Sequence, residues 1–136
     1  MEPVEWSEKF SVGVEELDQQ HQQLVKMLNR LISKRETTDT HSETISDMLL
    51  AMTRYAQKHF KTEENLMEAY GYPGLEEQKQ EHRVYRIKTV DFSTATTLGI
   101  DAVPEILLTY LFEWWIHHIL DEDMKYKPFF TEKGLK

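Results

Sequence analysis

The chain has 136 residues, a net charge of −8 and no cysteine, so disulfides, thiolate metal sites and thiol nucleophiles are excluded. A surface this acidic repels phosphate, which argues against nucleic acid and anionic membranes as partners. No apolar run approaches the roughly 20 residues of a membrane span, and no basic stretch followed by an apolar one opens the chain, so a cytoplasmic protein is expected. With only 5 Gly and 4 Pro, long helices are favoured over many-stranded sheets.

Residues 1 to about 16 mix Pro3, Trp6, Phe10 and Gly13 without a helical period, which predicts an extended arm anchored by Trp6 and Phe10. Leu17, Leu24, Leu28 and Leu31 then recur at helical spacing, with His21 in the same stripe, and the polar run Arg35–Asp39 ends this first helix. The second helix opens on a Thr40-x-x-Glu43 capping box with His41 inside it. Its stripe runs through Ile45, Met48, Met52, Tyr55, Ala56, His59, Glu63, Leu66, Met67 and Tyr70 and stops at Gly71-Tyr72-Pro73-Gly74. The third covers Leu75 to about Phe92, with Gln78, His82, Tyr85 and Thr89 in its stripe, and Ser93–Asp101 reads as a loop. The fourth runs from about Ala102 through Leu107, Leu111, Trp114 and His118, with Pro104 tolerated in its first turn. Lys125–Lys136 reads as a tail that Pro128 keeps from continuing the helix. Short connections make consecutive helices antiparallel, so the expected fold is all-α: an up-down-up-down four-helix bundle with an extended N-terminal arm. The expected organisation is one domain over 1–136, with the arm at about 1–16, the bundle at about 17–125 and the tail at about 126–136.

Each apolar stripe is interrupted by polar residues: His21 in the first helix, His59 and Glu63 in the second, Gln78 and His82 in the third, His118 in the fourth. Burying even a neutral polar group unpaired costs roughly 2–7 kcal/mol, so four independent accidents are a poor explanation. In an antiparallel bundle these positions fall level with one another, at the end closed by Gly71–Gly74. The pairs His59/Glu63 and Gln78/His82 are spaced i,i+4, which puts both members on one helix face. Convergent imidazoles with a carboxylate form a site for Fe, Zn, Cu or Mn, and this many candidate ligands suits two metal ions better than one. His117 is turned about 100° from His118 and is expected at the surface or behind the site. Asp18 is a candidate acceptor for His21, or simply an acid in a first helical turn.

Over nearly its whole length the chain resembles the hemerythrin family, the bacterial hemerythrins in particular. The matching segments are Trp6, Ser11-Val12-Gly13-Val14, Asp18-Gln19-Gln20-His21-Gln22-Gln23-Leu24, His59-Phe60-Lys61-Thr62-Glu63-Glu64, Met67, Tyr72-Pro73, Glu81-His82, Trp114-Trp115-Ile116-His117-His118-Ile119, Asp123 and Tyr126. The resemblance implies a bundle that holds two non-haem iron ions with a bridging oxo or hydroxo group. It implies reversible O2 binding, with NO or small anions as further ligands. His21, His59, His82 and His118 correspond to imidazole ligands, and Glu63 and Asp123 to bridging carboxylates. Leu24, Phe60, Trp114 and Ile119 correspond to the apolar O2 pocket, with O2 entering at the iron of His21 and His59. Helix geometry alone would pair His118 with Glu122 at i+4, whereas the family pattern takes the acid at i+5, Asp123, so the helix end must adapt. The family's third helix carries His-x-x-x-His; here Gln78 stands at the position of a seventh ligand, where the family has histidine. A carrier or a sensor, not an enzyme, is the implied function, and a chemotactic sensor would need a receptor signalling domain as partner. The alternative is a di-iron oxidase or peroxidase-like activity opened by the Gln78 departure.

Overall fold

The structure is a computed structural model that describes residues 3–36, 42–97 and 103–136, with side chains over 3–33, 48–90 and 106–136. Four long helices make the body: α1 (Glu15–Glu36), α2 (Ser42–Tyr70), α3 (Leu75–Thr97) and α4 (Val103–His117). α1 and α3 each pack on both α2 and α4, which closes the four into a ring. The expected antiparallel bundle is therefore the observed one. No described helix is long and apolar enough to cross a membrane.

The turn between α2 and α3 shows how local chemistry sets the topology. Gly71 has φ +73°, a left-handed conformation open to glycine at little cost. This lets Gly71 N–H bond to Glu68 O (3.2 Å) and Tyr72 N–H bond back to Met67 O (2.8 Å), ending α2 in a Schellman motif. The chain reverses at once, and α3 begins at Leu75.

The arm is held by hydrogen bonds as well as by its aromatic anchors. Asn29 accepts from Val4 N–H and donates to Val4 O, both at 2.8 Å. Trp6 stacks on buried Phe10 at 5.4 Å, beside a short 3-10 turn over Glu8–Phe10. Asp18 accepts from Ser11 Oγ–H (2.6 Å) and Val12 N–H (2.8 Å), tying the end of the arm to the first turn of α1. Asp18 is thus engaged with the arm, and no bond links it to His21.

Two apolar clusters fill the interior. The larger contains Leu24, Phe60, Tyr85, Trp115 and Ile119; the smaller contains Val12, Val14, Leu17, Met67, Tyr126 and Phe130. Three segments pass between them through a polar residue, α1 from the smaller to the larger and the other two the opposite way. α1 runs Leu17, His21, Leu24; α2 runs Phe60, Glu63, Met67; the end of the fourth helix runs Ile119, Asp123, Tyr126. A polar layer therefore lies between two dry ones.

Two sequence expectations need correction. Ser93–Thr97 is the last stretch of α3 and not loop. Ser and Thr are weak helix formers but not breakers, and neither Gly nor Pro interrupts the run before Gly99. The expected tail also folds: Lys127–Glu132 forms a fifth helix, α5, with Pro128 in its first turn, where no backbone N–H is required. Its driving force is Phe130, which is fully buried in the smaller cluster. The Thr40–Glu43 capping box, His41 and the start expected at Ala102 lie outside the described residues.

Phe130→Ala should cost about 3–5 kcal/mol by emptying a ring-sized space in the smaller cluster. A shift of the urea midpoint by less than 1 kcal/mol equivalent would show that α5 does not close the bundle end.

Candidate metal centre

The polar layer brings together all six residues that the sequence puts forward as ligands. His21, His59, Glu63, His82, His118 and Asp123 are each at most 1% exposed. Their ligand-type atoms form two groups that share Glu63: His21, His59, Glu63 and Asp123 in one, Glu63, His82 and His118 in the other. Glu63 Oε1 lies 2.8 Å from His59 Nε2 and 3.5 Å from the Nε2 atoms of His82 and His118. Asp123 spans the groups with its two oxygens, Oδ2 at 2.9 Å from His21 Nε2 and Oδ1 at 3.0 Å from His118 Nε2.

Asp123 reaches this place through a change of helical pitch. In an ideal α-helix, position i+5 is turned by about 140° from position i. Here α4 passes at His118 into a π turn, His118–Glu122, in which Asp123 N–H bonds to His118 O. The wider turn brings i+5 round to the face of His118. Such single π turns occur mostly at functional sites. The same turn carries Glu122 outward, where its carboxylate meets Lys125 Nζ at 3.2 Å. His117 is exposed too: its Nδ1 lies 2.8 Å from Asp121, and its Nε2 faces Glu81 and Glu122.

The hydrogen-bond accounting tests whether a metal suits the layer. Buried polar atoms are nearly always paired. Yet His21 Nε2, His59 Nε2, His82 Nε2 and Asp123 Oδ2 have no hydrogen-bond partner, although they face one another or Glu63 Oε1 across 2.8 to 3.5 Å. Lone pairs facing lone pairs are what a cation would satisfy.

The outer ring atoms explain why the lone pairs face inward. Thr62 Oγ1 donates to Lys58 O (3.0 Å) and so accepts from Gln20 Nε2 (3.2 Å). That leaves Gln20 Oε1 as the acceptor for His59 Nδ1–H at 2.8 Å. His82 Nδ1–H donates to Glu64 Oε2 at 2.6 Å. With the proton fixed on Nδ1, both rings present a bare Nε2 to the centre. Tyr126 O–H donates to Glu63 Oε2 at 2.8 Å, and Oε1 is left for the imidazoles.

A family model described as "Hemerythrin HHE cation binding domain" matches residues 12–130. The chain belongs to the hemerythrin family. It is 32% identical over 127 residues to a myohemerythrin of Theromyzon tessulatum, covering 93% of this chain and 92% of that one. It is 30% identical over 121 residues to a bacteriohemerythrin of Stenotrophomonas maltophilia, covering 89% and 77% respectively. The crystal structure of a wild-type hemerythrin superposes with a TM-score of 0.83 at 27% identity, covering 92% of this chain and 95% of that one.

Within this hemerythrin fold, Gln78 is buried one turn before His82. Its Nε2 donates to Glu122 O (3.1 Å) and towards Asp123 Oδ1 (3.4 Å). The family's aromatic residues wall one side of the layer: Phe60 stacks on His82 at 4.0 Å and Trp114 on His118 at 4.5 Å. Leu24 and Ile119 are buried in the same cluster.

Charge is distributed unevenly across the layer. Burial pushes His118 down to about 4 and lowers His21 well below the usual imidazole value, helped by the neighbouring imidazoles. Both are neutral at pH 7, as metal ligands must be. Burial opposes ionisation of Glu63, but His59, His118 and His82 together hold its carboxyl well below the ordinary range. Asp123 is raised well above the ordinary range by burial and by the charge on Glu63. Sequence reasoning did not single out Gln20, Glu64 and Tyr126; their only signal was adjacency to proposed ligands, or a place in a family pattern.

Asp123→Asn should therefore stabilise the metal-free protein at pH 7 while weakening metal binding. The raised carboxyl opposes folding only when charged, so the stability gap over the unaltered protein should narrow as pH falls through its folded-state pKa. Urea denaturation at several pH values checks this; an Asp123→Asn protein less stable than the starting chain at neutral pH contradicts it.

Proposed function

We propose that this chain binds O2 reversibly at a pair of non-haem iron ions, as a carrier or sensor and not as an enzyme, in the cytoplasm, with residues 1–136 acting as one unit. The observation that carries this reading is the array of unpartnered atoms on His21, His59, His82 and Asp123, within two ligand groups that share Glu63. His21 and His59 would hold one ion and His82 and His118 the other, with Glu63 and Asp123 shared and a solvent-derived oxo or hydroxo group between the ions. Neutral imidazole with carboxylate suits iron, and no thiolate or second ligand class competes for the position. When bound, a ferrous pair supplies two electrons that O2 can take up and return.

The remaining work belongs to the chain. Glu63 stays ionised, and Tyr126 holds its outer oxygen so that Oε1 remains directed at the imidazoles. Gln20 and Glu64 keep the His59 and His82 rings in orientation. Leu24, Phe60, Trp114 and Ile119 would form the O2 pocket, excluding water that would otherwise deliver protons. Phe60 and Trp114 lie against His82 and His118, so the wall is densest on that side.

Anaerobic loading with ferrous iron, followed by metal analysis and a visible spectrum in air, tests the reading. Two irons per chain and an oxygenated spectrum that purging with inert gas reverses are expected. Zero or one iron, or prompt irreversible oxidation with peroxide release, points instead to another metal site or to oxidase chemistry. Replacing Ile119 with Ser should speed loss of the oxygenated form at least severalfold by wetting the pocket, and an unchanged decay rate would put the pocket elsewhere.

A further inference from the structure

Gln78 is held by one end only. Its Nε2 donates to Glu122 O at 3.1 Å and towards Asp123 Oδ1 at 3.4 Å, and the backbone carbonyl of Glu122 can only accept. Turning the amide over would set Oε1 against a carbonyl and a carboxylate, so the orientation is fixed by its partners. Oε1 is then left buried without a donor, in a residue that is 2% exposed. An amide oxygen left unsatisfied opposes folding, and native interiors supply a partner for it, ordered water included.

The place of this oxygen narrows the partner. Asp123 Oδ1, which the amide approaches, is the oxygen 3.0 Å from His118 Nε2, and Gln78 shares a helix face with His82. The amide therefore belongs to the His82–His118 side. That side offers His82, His118 and Glu63 as one group, while the other offers four residues. Two imidazoles with the shared Glu63 and Asp123 still fill fewer positions than the six of an octahedral ion, so an open position remains on this side.

We propose that Gln78 makes a second small-ligand position on the His82–His118 side, one that takes a protic ligand, water or hydroxide, whose proton is received by Gln78 Oε1. This rests on the two-iron reading above. The position is selective by hydrogen bonding: a ligand with a proton satisfies Oε1, and an anion without one displaces that ligand and leaves the oxygen unpaired. Gln78 acts as a positioning residue, with its nitrogen anchored on the π turn and its buried oxygen left to receive the ligand's proton. Direct bonding of Oε1 to the ion would fill the same position and is separated by experiment.

The test is an azide titration of the diferric protein, after iron has been measured per chain and helicity checked by circular dichroism. Azide carries no proton at neutral pH. The unaltered protein should take up two azides, the second more weakly. Gln78→Leu should still take up two, with the second bound about tenfold more tightly because no acceptor is stranded. Gln78→His should take up one. Two irons with a single azide in the unaltered protein overturns the proposal and leaves the two-iron reading standing. So does an unchanged second affinity in Gln78→Leu, a measurement that does not depend on Gln78→His folding. Fewer than two irons in the unaltered protein overturns both.

Discussion

The constraint on which this structure depends is a layer of lone pairs buried between two apolar clusters. Four imidazoles, two carboxylates and an amide occupy it, and the nitrogen and oxygen atoms that face its centre are mostly acceptors with nothing to accept from. Such an arrangement is unfavourable by itself, because desolvation of each group goes uncompensated. A cation reverses the balance, since it attracts every one of these atoms at once. Binding free energy and folding free energy are then linked, as they are wherever a metal binds the folded chain but not the unfolded one.

The surrounding residues keep the layer in that state. Gln20 and Glu64 each bind the outer nitrogen of an imidazole, so the proton stays outside and the inner nitrogen stays bare. The two partners differ in charge. His82 leans on a carboxylate that also approaches Arg86, while His59 leans on a neutral amide within a chain of hydrogen bonds ending on α2. Tyr126 restrains Glu63 from the smaller apolar cluster, which makes α5 and the preceding turn part of the site and more than a cover for it.

The π turn at His118–Glu122 is the hinge of the design. It brings Asp123 onto the face of His118, sends Glu122 outward, and leaves Glu122 O as an acceptor for Gln78. One local departure from α-helical pitch thus sets a proposed bridging ligand and the orientation of Gln78.

Five of the six proposed ligands and the bundle were legible in the sequence because both follow from period. Apolar residues at helical spacing define the faces, and a polar residue recurring within each face marks the layer they share. Asp123 was legible only through family resemblance, since ideal helical rotation favours Glu122. The extent of α3 and the formation of α5 were misread, because weak propensities and a proline in a first turn were taken as stops while burial of Phe130 decided otherwise. The partners of the imidazoles could not be read at all. Gln20 meets His59, Glu64 meets His82 and Tyr126 meets Glu63 across separations of 39, 18 and 63 residues. Sequence by itself determines which residues share a helix face, because that depends on rotation per residue along one element. Which atom of Gln78 is left without a partner, and which nitrogen of His59 and His82 is bare, depend on acceptors delivered by other elements, and only packing those elements together decides it.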